Sequence, residues 1–401
     1  MKESLEQLEQ FGLNVILGRD NSLKAKVLRV FLYLMSKLYS ALVLLRLLLF
    51  RRRYLRDHHL GCLVISIGNL TVGGTGKTPV VEIFAKALQK GGRKVAILSR
   101  GYKSQRKKPK RTILQRLLFR GRDDQPPRVV SDGRKVLLNS LESGDEPFML
   151  ANNLAGIPVV VDKNRVKGGL HAIRHFNADT LLLDDGLQYL RLSHQIDIVL
   201  VDRNAPFGNE YLLPRGTLRE PPPNLHRADY IFLTKCNGEA NEELVRRMRR
   251  YNSTAEIIEC THGPRYLENV LTGERKPLSL LNNTFVGAIS GIAAPESFES
   301  SLRRLGANVE VVVRYTDHYR YTLRDVTKFI DRCVDRDMKL IVTTEKDAVR
   351  FPRIEHTDVP IYFLRVEIEI LGGAENFNRC IERICKPSFN AHRPFTPLSN
   401  K

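Results

Sequence analysis

The chain has 401 residues, with 64 Lys+Arg against 44 Asp+Glu and a formal net charge of +20. A content of 42% hydrophobic and 27% charged residues is that of a globular protein, which excludes collagen-like and disordered classes; at about 150 residues per domain the length suits two or three domains. Six cysteines without a CxxC pair argue against a disulfide framework or a zinc pair and for a reducing compartment, while the excess of cations implies an anionic partner: nucleic acid, a membrane surface or a phosphorylated substrate.

Met1 to Asn21 has mixed charge and no short apolar core ending in a small-residue cleavage site, so it does not read as a secretory signal. Val27 to Phe50, VLRVFLYLMSKLYSALVLLRLLLF, is long enough to cross a bilayer but is interrupted by Arg29, Lys37 and Arg46. A cation at the centre of a span costs roughly 2.5 to 3.5 kcal/mol. At 100° per residue, Lys26, Arg29, Ser36, Lys37 and Ser40 share one side, and Arg51, Arg52, Arg53 and Arg56 follow. The expectation is an amphipathic helix lying in the interface of an anionic leaflet, with a core helix or a true span as alternatives.

After residue 60 come short, β-branched apolar runs: CLVISI, KVAILS, IPVVVD, TLLLDD, IDIVLVD and DYIFLT, spaced by helical stretches. This rhythm predicts a mostly parallel sheet covered on both faces. A basic, proline-containing insertion breaks it near 103–135, and a second α/β rhythm (TFVGAIS, VEVVVRY, KLIVTT) begins near Asn282. The expected division is a helical membrane-association segment at 1–60, a P-loop core at 61–250, a C-terminal α/β lobe at 251–388 and a flexible tail at 389–401.

Between the strand CLVISI and the helical stretch PVVEIFAKALQK lies Thr71-Val72-Gly73-Gly74-Thr75-Gly76-Lys77-Thr78. Glycines there let backbone N–H groups cradle phosphates, Lys77 would reach the β/γ-phosphates and the Thr78 hydroxyl would ligate Mg²⁺. Thr71 stands where the strict motif has Gly. An acidic pair at the end of a buried strand, Asp184-Asp185, followed by Gly186-Leu187-Gln188, lies where open α/β sheets bind ligands and would serve the metal. Either aspartate could be the ligand. Asp162 and Asp202 are weaker candidates at comparable positions. His171, His175 and His194 lack a zinc spacing and read as structural or surface residues.

Taken together, SIGNLTVGGTGKTPVV, LSRGYK, GDEPFMLA, VVVDKNR, LLLDDGLQ, GNEYLLPRGTLREP, FLTK, YTDHY and TTEKDAVR, in that order, resemble the tetraacyldisaccharide 4′-kinase family, the lipid A 4′-kinases of Gram-negative bacteria. Thr at the first Walker position is that family's own pattern. Two departures stand out: Asp317-His318-Tyr319 where Asp-His-His is expected, and Tyr189 where a His is common. The resemblance implies an α/β, P-loop NTPase-like fold with a smaller C-terminal α/β lobe and an N-terminal amphipathic membrane-associated helix. It implies transfer of the ATP γ-phosphate, with Mg²⁺, to the 4′-hydroxyl of an acylated glucosamine disaccharide 1-phosphate at the cytoplasmic face of the inner membrane, as a peripheral protein or through a single N-terminal anchor. Within it, Thr71 to Thr78 bind nucleotide, Lys77 and Asp185 act in catalysis, and Asp145 and His318 form an acid–base pair at the hydroxyl. Their separation of 173 residues places one member in each expected lobe, so that domain closure would assemble the site. Arg100, Gln188, Arg219 and Glu220 are expected at the substrate, with Arg219 offering a planar fork to an anionic group. Thr343 to Asp347, ending a second-lobe strand, are a further candidate segment. The expected partners are the acyl disaccharide lipid and the anionic membrane surface, and no nucleic acid. The rival enzyme class is a P-loop ATPase of the partitioning or maturation type, in which Lys is common at the position of Val72. A rival of a different class is a nucleic-acid-binding module, suggested by the net charge of +20, but the chain lacks the aromatic-interleaved basic motif or zinc pattern that such modules use.

Overall fold

The computed structural model describes residues 11, 12, 14–16, 18, 20–102, 104 and 125–386. Most of the basic run at 103–124 and the tail at 389–401 lie outside them. The chain forms two compact units, each discontinuous in sequence: Met1–Lys77, Leu182–Thr261 and Glu369–Lys401 make the first, and Thr78–Leu181 with His262–Ile368 the second. This differs from the linear division at 250, because the chain leaves the first unit within the helix after the phosphate loop and re-enters it within the strand that ends in Asp184.

In the first unit, α1 (Leu23–Arg51) is capped by Ser22, whose side chain accepts from Ala25 N. Its 29 residues span about 43 Å at 1.5 Å per residue. Val27, Val30, Phe31, Leu34, Leu38, Leu42, Leu45 and Leu48 form an exposed stripe, with Ala25 and Ser36 buried on the opposite face. The helix is long and apolar enough to cross a membrane. Strand β1 (Leu63–Asn69) is buried throughout, as expected for a strand covered on both faces. Later in the chain come β5 (Thr180–Asp184), β6 (Ile196–Asp202), β7 (Tyr230–Thr234) and β8 (Glu256–Asn269), in the order β8–β7–β6–β1–β5. β1, β6, β7 and β8 are parallel, so Asn69, Asp202 and Thr234 finish at one edge. Leu70, Leu187, Val201, Phe207, Leu218 and Leu225 pack as a core directly behind that edge.

In the second unit, β2 (Val95–Ser99) runs parallel to β4 (Pro158–Val161), and β3 (Arg128–Asp132) pairs antiparallel with β4. β9 (Phe285–Ser290), β10 (Asn308–Arg314), β11 (Leu340–Thr344) and β12 (Ile361–Gly372) form a parallel set in the order β10–β9–β11–β12. Val311, Tyr321, Phe329, Ile341 and Ile361 build a core against the helix over Leu323–Val334, which starts with a reciprocal Thr322–Asp325 capping box. The sheet is mostly parallel, as the rhythm of apolar runs predicts.

Candidate active site

The phosphate loop leaves β1 at Asn69 and enters the helix α2 (Lys77–Lys90). It is fastened from behind by the segment around Leu218: Val72 N donates to Thr217 O at 2.7 Å and Arg219 N to Leu70 O at 2.7 Å. Gly73 and Gly76 have φ of 112° and 79°, values that only glycine adopts readily. A Cβ at Gly73 or Gly74 would meet nothing within 4 Å, so the loop presents bare backbone to open space. Thr75 Oγ1 is buried and has no hydrogen-bond partner among the described residues. Backbone left uncovered and an orphan hydroxyl fit a loop built for phosphate oxygens.

Lys77 Nζ donates to Asn69 Oδ1 at 3.1 Å and lies 3.5 Å from Asp185 Oδ1. Arg219 grips the same carboxylate with both arms, Nη1 to Oδ2 and Nη2 to Oδ1, each at 2.9 Å, and Nη2 also reaches Asn69 O at 3.1 Å. Asp185 sits in the left-handed region at φ 56°, a conformation that costs a non-glycine residue roughly 1–2 kcal/mol and here aims the carboxylate at both cations. Burial would push its pKa up; Arg219 and Lys77 outweigh burial and hold it well below the usual carboxylate range. Asp184 is buried at the end of β5. Oxygen donors of the Thr78, Asp184 and Asp185 type suit Mg²⁺, which keeps several waters and needs few protein ligands.

Gln188 Nε2 donates to Asn69 O at 3.1 Å, which joins the loop after Asp185 to the end of β1. Two residues of α1 hold the same loops by their backbone. Tyr39 OH donates to Arg219 O at 3.0 Å and Arg46 Nη2 to Gln188 O at 2.9 Å. Glu220 is buried, and its carboxylate accepts from Asn224 at 2.7 Å and Arg227 at 2.8 Å. Because Arg227 also donates to Leu187 O, Glu220 braces the loop that carries Asp185. Asp202 pairs with Lys235 at 2.5 Å.

In the second unit, Asp145 opens the helix α3 (Asp145–Asn153) and is buried. Its Oδ2 accepts from Arg350 Nε at 2.8 Å and lies 3.2 Å from His318 Nδ1; its Oδ1 accepts from Arg320 Nη2 at 2.7 Å. The pair expected to be split between lobes is thus in direct contact within one unit. Burial would raise the Asp145 pKa, but His318, Arg350 and Arg320 hold it at about 2. His318 has φ 66°, so both His318 and Asp185 are displayed by left-handed backbone. Arg350 has a fully buried side chain. It also donates to Gly291 O at 2.8 Å and to Asp347 Oδ1 at 3.1 Å. Asp347 in turn accepts from Tyr321 OH at 3.1 Å and Thr344 Oγ1 at 2.6 Å, and burial raises its pKa. Thus the TTEKD segment serves as the support for Arg350. Tyr319, the departure from Asp-His-His, stacks on Tyr315 at 4.3 Å and donates to Asp325 Oδ2 at 3.2 Å. Arg100 is exposed just past β2.

Sequence reasoning missed Asn69, Arg320 and Arg350. The available signals were Asn69 at a strand end immediately before the glycines, and Arg350 three residues after Asp347, one helical turn along.

A family model described as tetraacyldisaccharide-1-P 4′-kinase matches residues 28–386. The chain belongs to this family. It is 35% identical over 388 residues to the tetraacyldisaccharide 4′-kinase of Halothermothrix orenii, covering 92% of this chain and 96% of that protein. The protein of the same name from Syntrophus aciditrophicus is 37% identical over 362 residues, covering 88% and 91%. Among solved structures, LpxK from Aquifex aeolicus in complex with ATP superposes with a TM-score of 0.69 at 27% identity, covering 90% of this chain and all of that one. The family, a P-loop α/β fold and an N-terminal apolar helix therefore agree with what the motifs implied.

Proposed function

We infer that the chain is an ATP-dependent lipid kinase that transfers the γ-phosphate of ATP to the 4′-hydroxyl of a tetraacyl glucosamine disaccharide 1-phosphate, yielding the 4′-phosphorylated lipid A precursor. The observation that carries this reading is the Lys77–Asp185–Arg219 cluster beside an uncovered glycine loop, in a chain whose family match runs over nearly its whole length.

Phosphoryl transfer asks a protein mainly for positioning and charge neutralisation. Backbone N–H groups of Gly73 to Thr78 hold the phosphates, and Lys77 stabilises charge on the transferring group. Asp185 keeps Lys77 oriented, and Arg219 keeps Asp185 oriented. Thr78, Asp184 and Asp185 would hold Mg²⁺, which when bound neutralises charge on the β- and γ-phosphates. Asp145 and His318 handle the attacking hydroxyl and its proton. Arg100 and Gln188 are assigned to the substrate side, and Glu220 to bracing.

The lipid substrate explains the N-terminal helix. We place the exposed apolar stripe of α1 in the interfacial region of the cytoplasmic face of the inner membrane, with Arg51, Arg52, Arg53 and Arg56 against anionic headgroups, each worth about 1 kcal/mol near the surface. Nucleic acid has no part in this reading. The test is γ-phosphate transfer from ATP to detergent-dispersed acyl disaccharide 1-phosphate with Mg²⁺. Folded protein that yields no phosphorylated lipid overturns it.

A further inference from the structure

Tyr33 and Lys37 stand beside the apolar stripe of α1 and not within it. They lie roughly 100° and 60° round the helix from Leu34, on the same side, and both are exposed. Lys26 and Arg51 share that flank by the same count and are exposed too. Tyrosine and cations next to an apolar stripe repeat the order of a bilayer, acyl chains first and then headgroups, where tyrosine and basic residues concentrate.

The flank does not end with the helix. Tyr211, from the turn between β6 and β7, is exposed and meets the Tyr33 ring edge-on at 6.0 Å. Arg215 lies over the Tyr211 ring at 4.6 Å, as Lys37 lies over the Tyr33 ring at 5.0 Å. Two ring–cation pairs, one from each element, thus sit side by side. Arg215 Nη1 donates to Ile16 O at 2.9 Å. Its remaining N–H groups have no partner among the described residues, so donors are left for a further acceptor. The acid of the turn, Glu210, is paired with Arg247 at 2.5 Å, which leaves the cations of the flank in excess.

The turn is held firmly by its own backbone. Gly216 N donates to Leu212 O at 2.9 Å and Leu218 N to Tyr211 O at 3.1 Å, while Asn209 Nδ2 donates to Ile16 O at 3.0 Å. An aromatic ring presented in this way has little freedom left to lose on binding.

We propose that the Tyr211–Arg215 turn is a second membrane-contact element, which seats Tyr211 and Arg215 against anionic phospholipid headgroups along one flank of α1. The proposal rests on the reading that α1 lies in the bilayer interface. It adds what a single helix cannot supply: a helix alone is free to roll about its axis on a membrane, and a rigid turn beside it stops the roll. The base of the same turn carries Thr217 O, which accepts from Val72 N of the phosphate loop at 2.7 Å. The headgroup contact therefore sets the depth at which that loop meets the lipid surface.

The chain has no tryptophan, so Tyr211→Trp gives the full-length protein a single indole reporter on the turn, and Leu38→Trp does the same for the stripe. The probes are mixed phosphatidylcholine–phosphatidylglycerol vesicles spin-labelled either near the headgroup or deep in the acyl chain. On binding, Tyr211→Trp emission should shift to the blue and be quenched more by the shallow label, whereas Leu38→Trp should be quenched more by the deep one. A vesicle-bound Tyr211→Trp protein that escapes both labels, while Leu38→Trp is quenched, overturns this proposal and leaves the reading of α1 intact. If neither reporter is quenched, or nothing binds, both fall. An equal response of Tyr211→Trp to inorganic phosphate without lipid identifies a free-anion site, and a lipid-free blue shift that grows with protein concentration identifies a second copy of the chain; either result overturns the proposal.

An affinity arm tests the cation. Arg215→Gln should bind the anionic vesicles about fivefold more weakly, the worth of one basic residue at such a surface, and should bind pure phosphatidylcholine vesicles as wild type does. Unchanged affinity for the anionic vesicles, or an equal drop on both kinds, overturns the headgroup contact of Arg215.

Discussion

Lys77 and Asp185 face each other at 3.5 Å, and the carboxylate that aims the lysine is itself held at both oxygens by Arg219. The phosphate-loop lysine is therefore oriented by the protein alone. On the proposed kinase reading its ammonium would stand where charge develops in the transition state, which is how preorganised electrostatics lower a barrier.

Lys77→Ala should lower single-turnover transfer by about 10² to 10³-fold or more, while vesicle binding stays at the wild-type level because α1 is untouched. A near-wild-type rate would remove Lys77 from the transfer step.

Arg219→Lys should behave as a severe change despite keeping the charge. An ammonium cannot reproduce the two parallel bonds to Asp185 together with the bond to Asn69 O. The expected result is a rate loss of at least tenfold with stability lower by about 1.5–3 kcal/mol, the range for hydrogen bonds to charged groups. Transfer kinetics and urea unfolding check the two effects separately.

Asp145→Asn and His318→Ala should each slow transfer, and the double variant should cost much less than the product of the two losses. Residues in contact and acting as one unit are non-additive, and the two lie 3.2 Å apart. Nucleotide affinity, measured separately, should be unchanged. Fully multiplicative losses would show two independent roles.

The phosphate loop was legible because its chemistry is written in consecutive residues, with a strand before it and a helix after. Lys77, Asp185 and the glycines needed no tertiary information. The Asp145–His318 pair is different. Its members are 173 residues apart, and no periodicity connects them, so only the family resemblance suggested the pairing. Arg350 stayed invisible because a buried arginine reads in sequence like any surface one; what buries it is the company of Asp145, Asp347 and Gly291 O. The two compact units differ from the linear division for a related physical reason. A parallel sheet needs crossovers, and here the chain crosses between units inside regular elements, where composition does not change.

Acid should weaken the protein partly through Asp145. Its pKa falls from the ordinary 3.8 to about 2 on folding, so its contribution is complete above the unfolded value and is lost as pH drops through the folded one. The shift corresponds to about 2 kcal/mol. The stability gap between wild type and Asp145→Asn should therefore narrow between pH 5 and pH 2, as read from denaturant midpoints. A gap that stays constant over this range would mean that Asp145 is not held ionised.

Replacing Leu34 and Leu38 by Glu should weaken binding to anionic vesicles without altering single-turnover transfer to a detergent-dispersed substrate. Both side chains lie on the exposed stripe, opposite the buried Ala25 and Ser36. Moderate salt should release wild type only partly, since apolar insertion is not screened. Undiminished vesicle binding by the double variant would place the lipid contact elsewhere.

If α1 seats the chain on the bilayer as proposed, the hydrogen bonds from Tyr39 to Arg219 O and from Arg46 to Gln188 O give the helix a second duty. A foreign hydrophobic tag grafted in its place would return the enzyme to the bilayer but leave those two carbonyls without their donors. Localisation would recover while turnover lagged. Surfactants that pull the helix from its seat would depress the measured rate with every catalytic side chain still present, so the choice of solubilising medium becomes a variable of the enzymology itself.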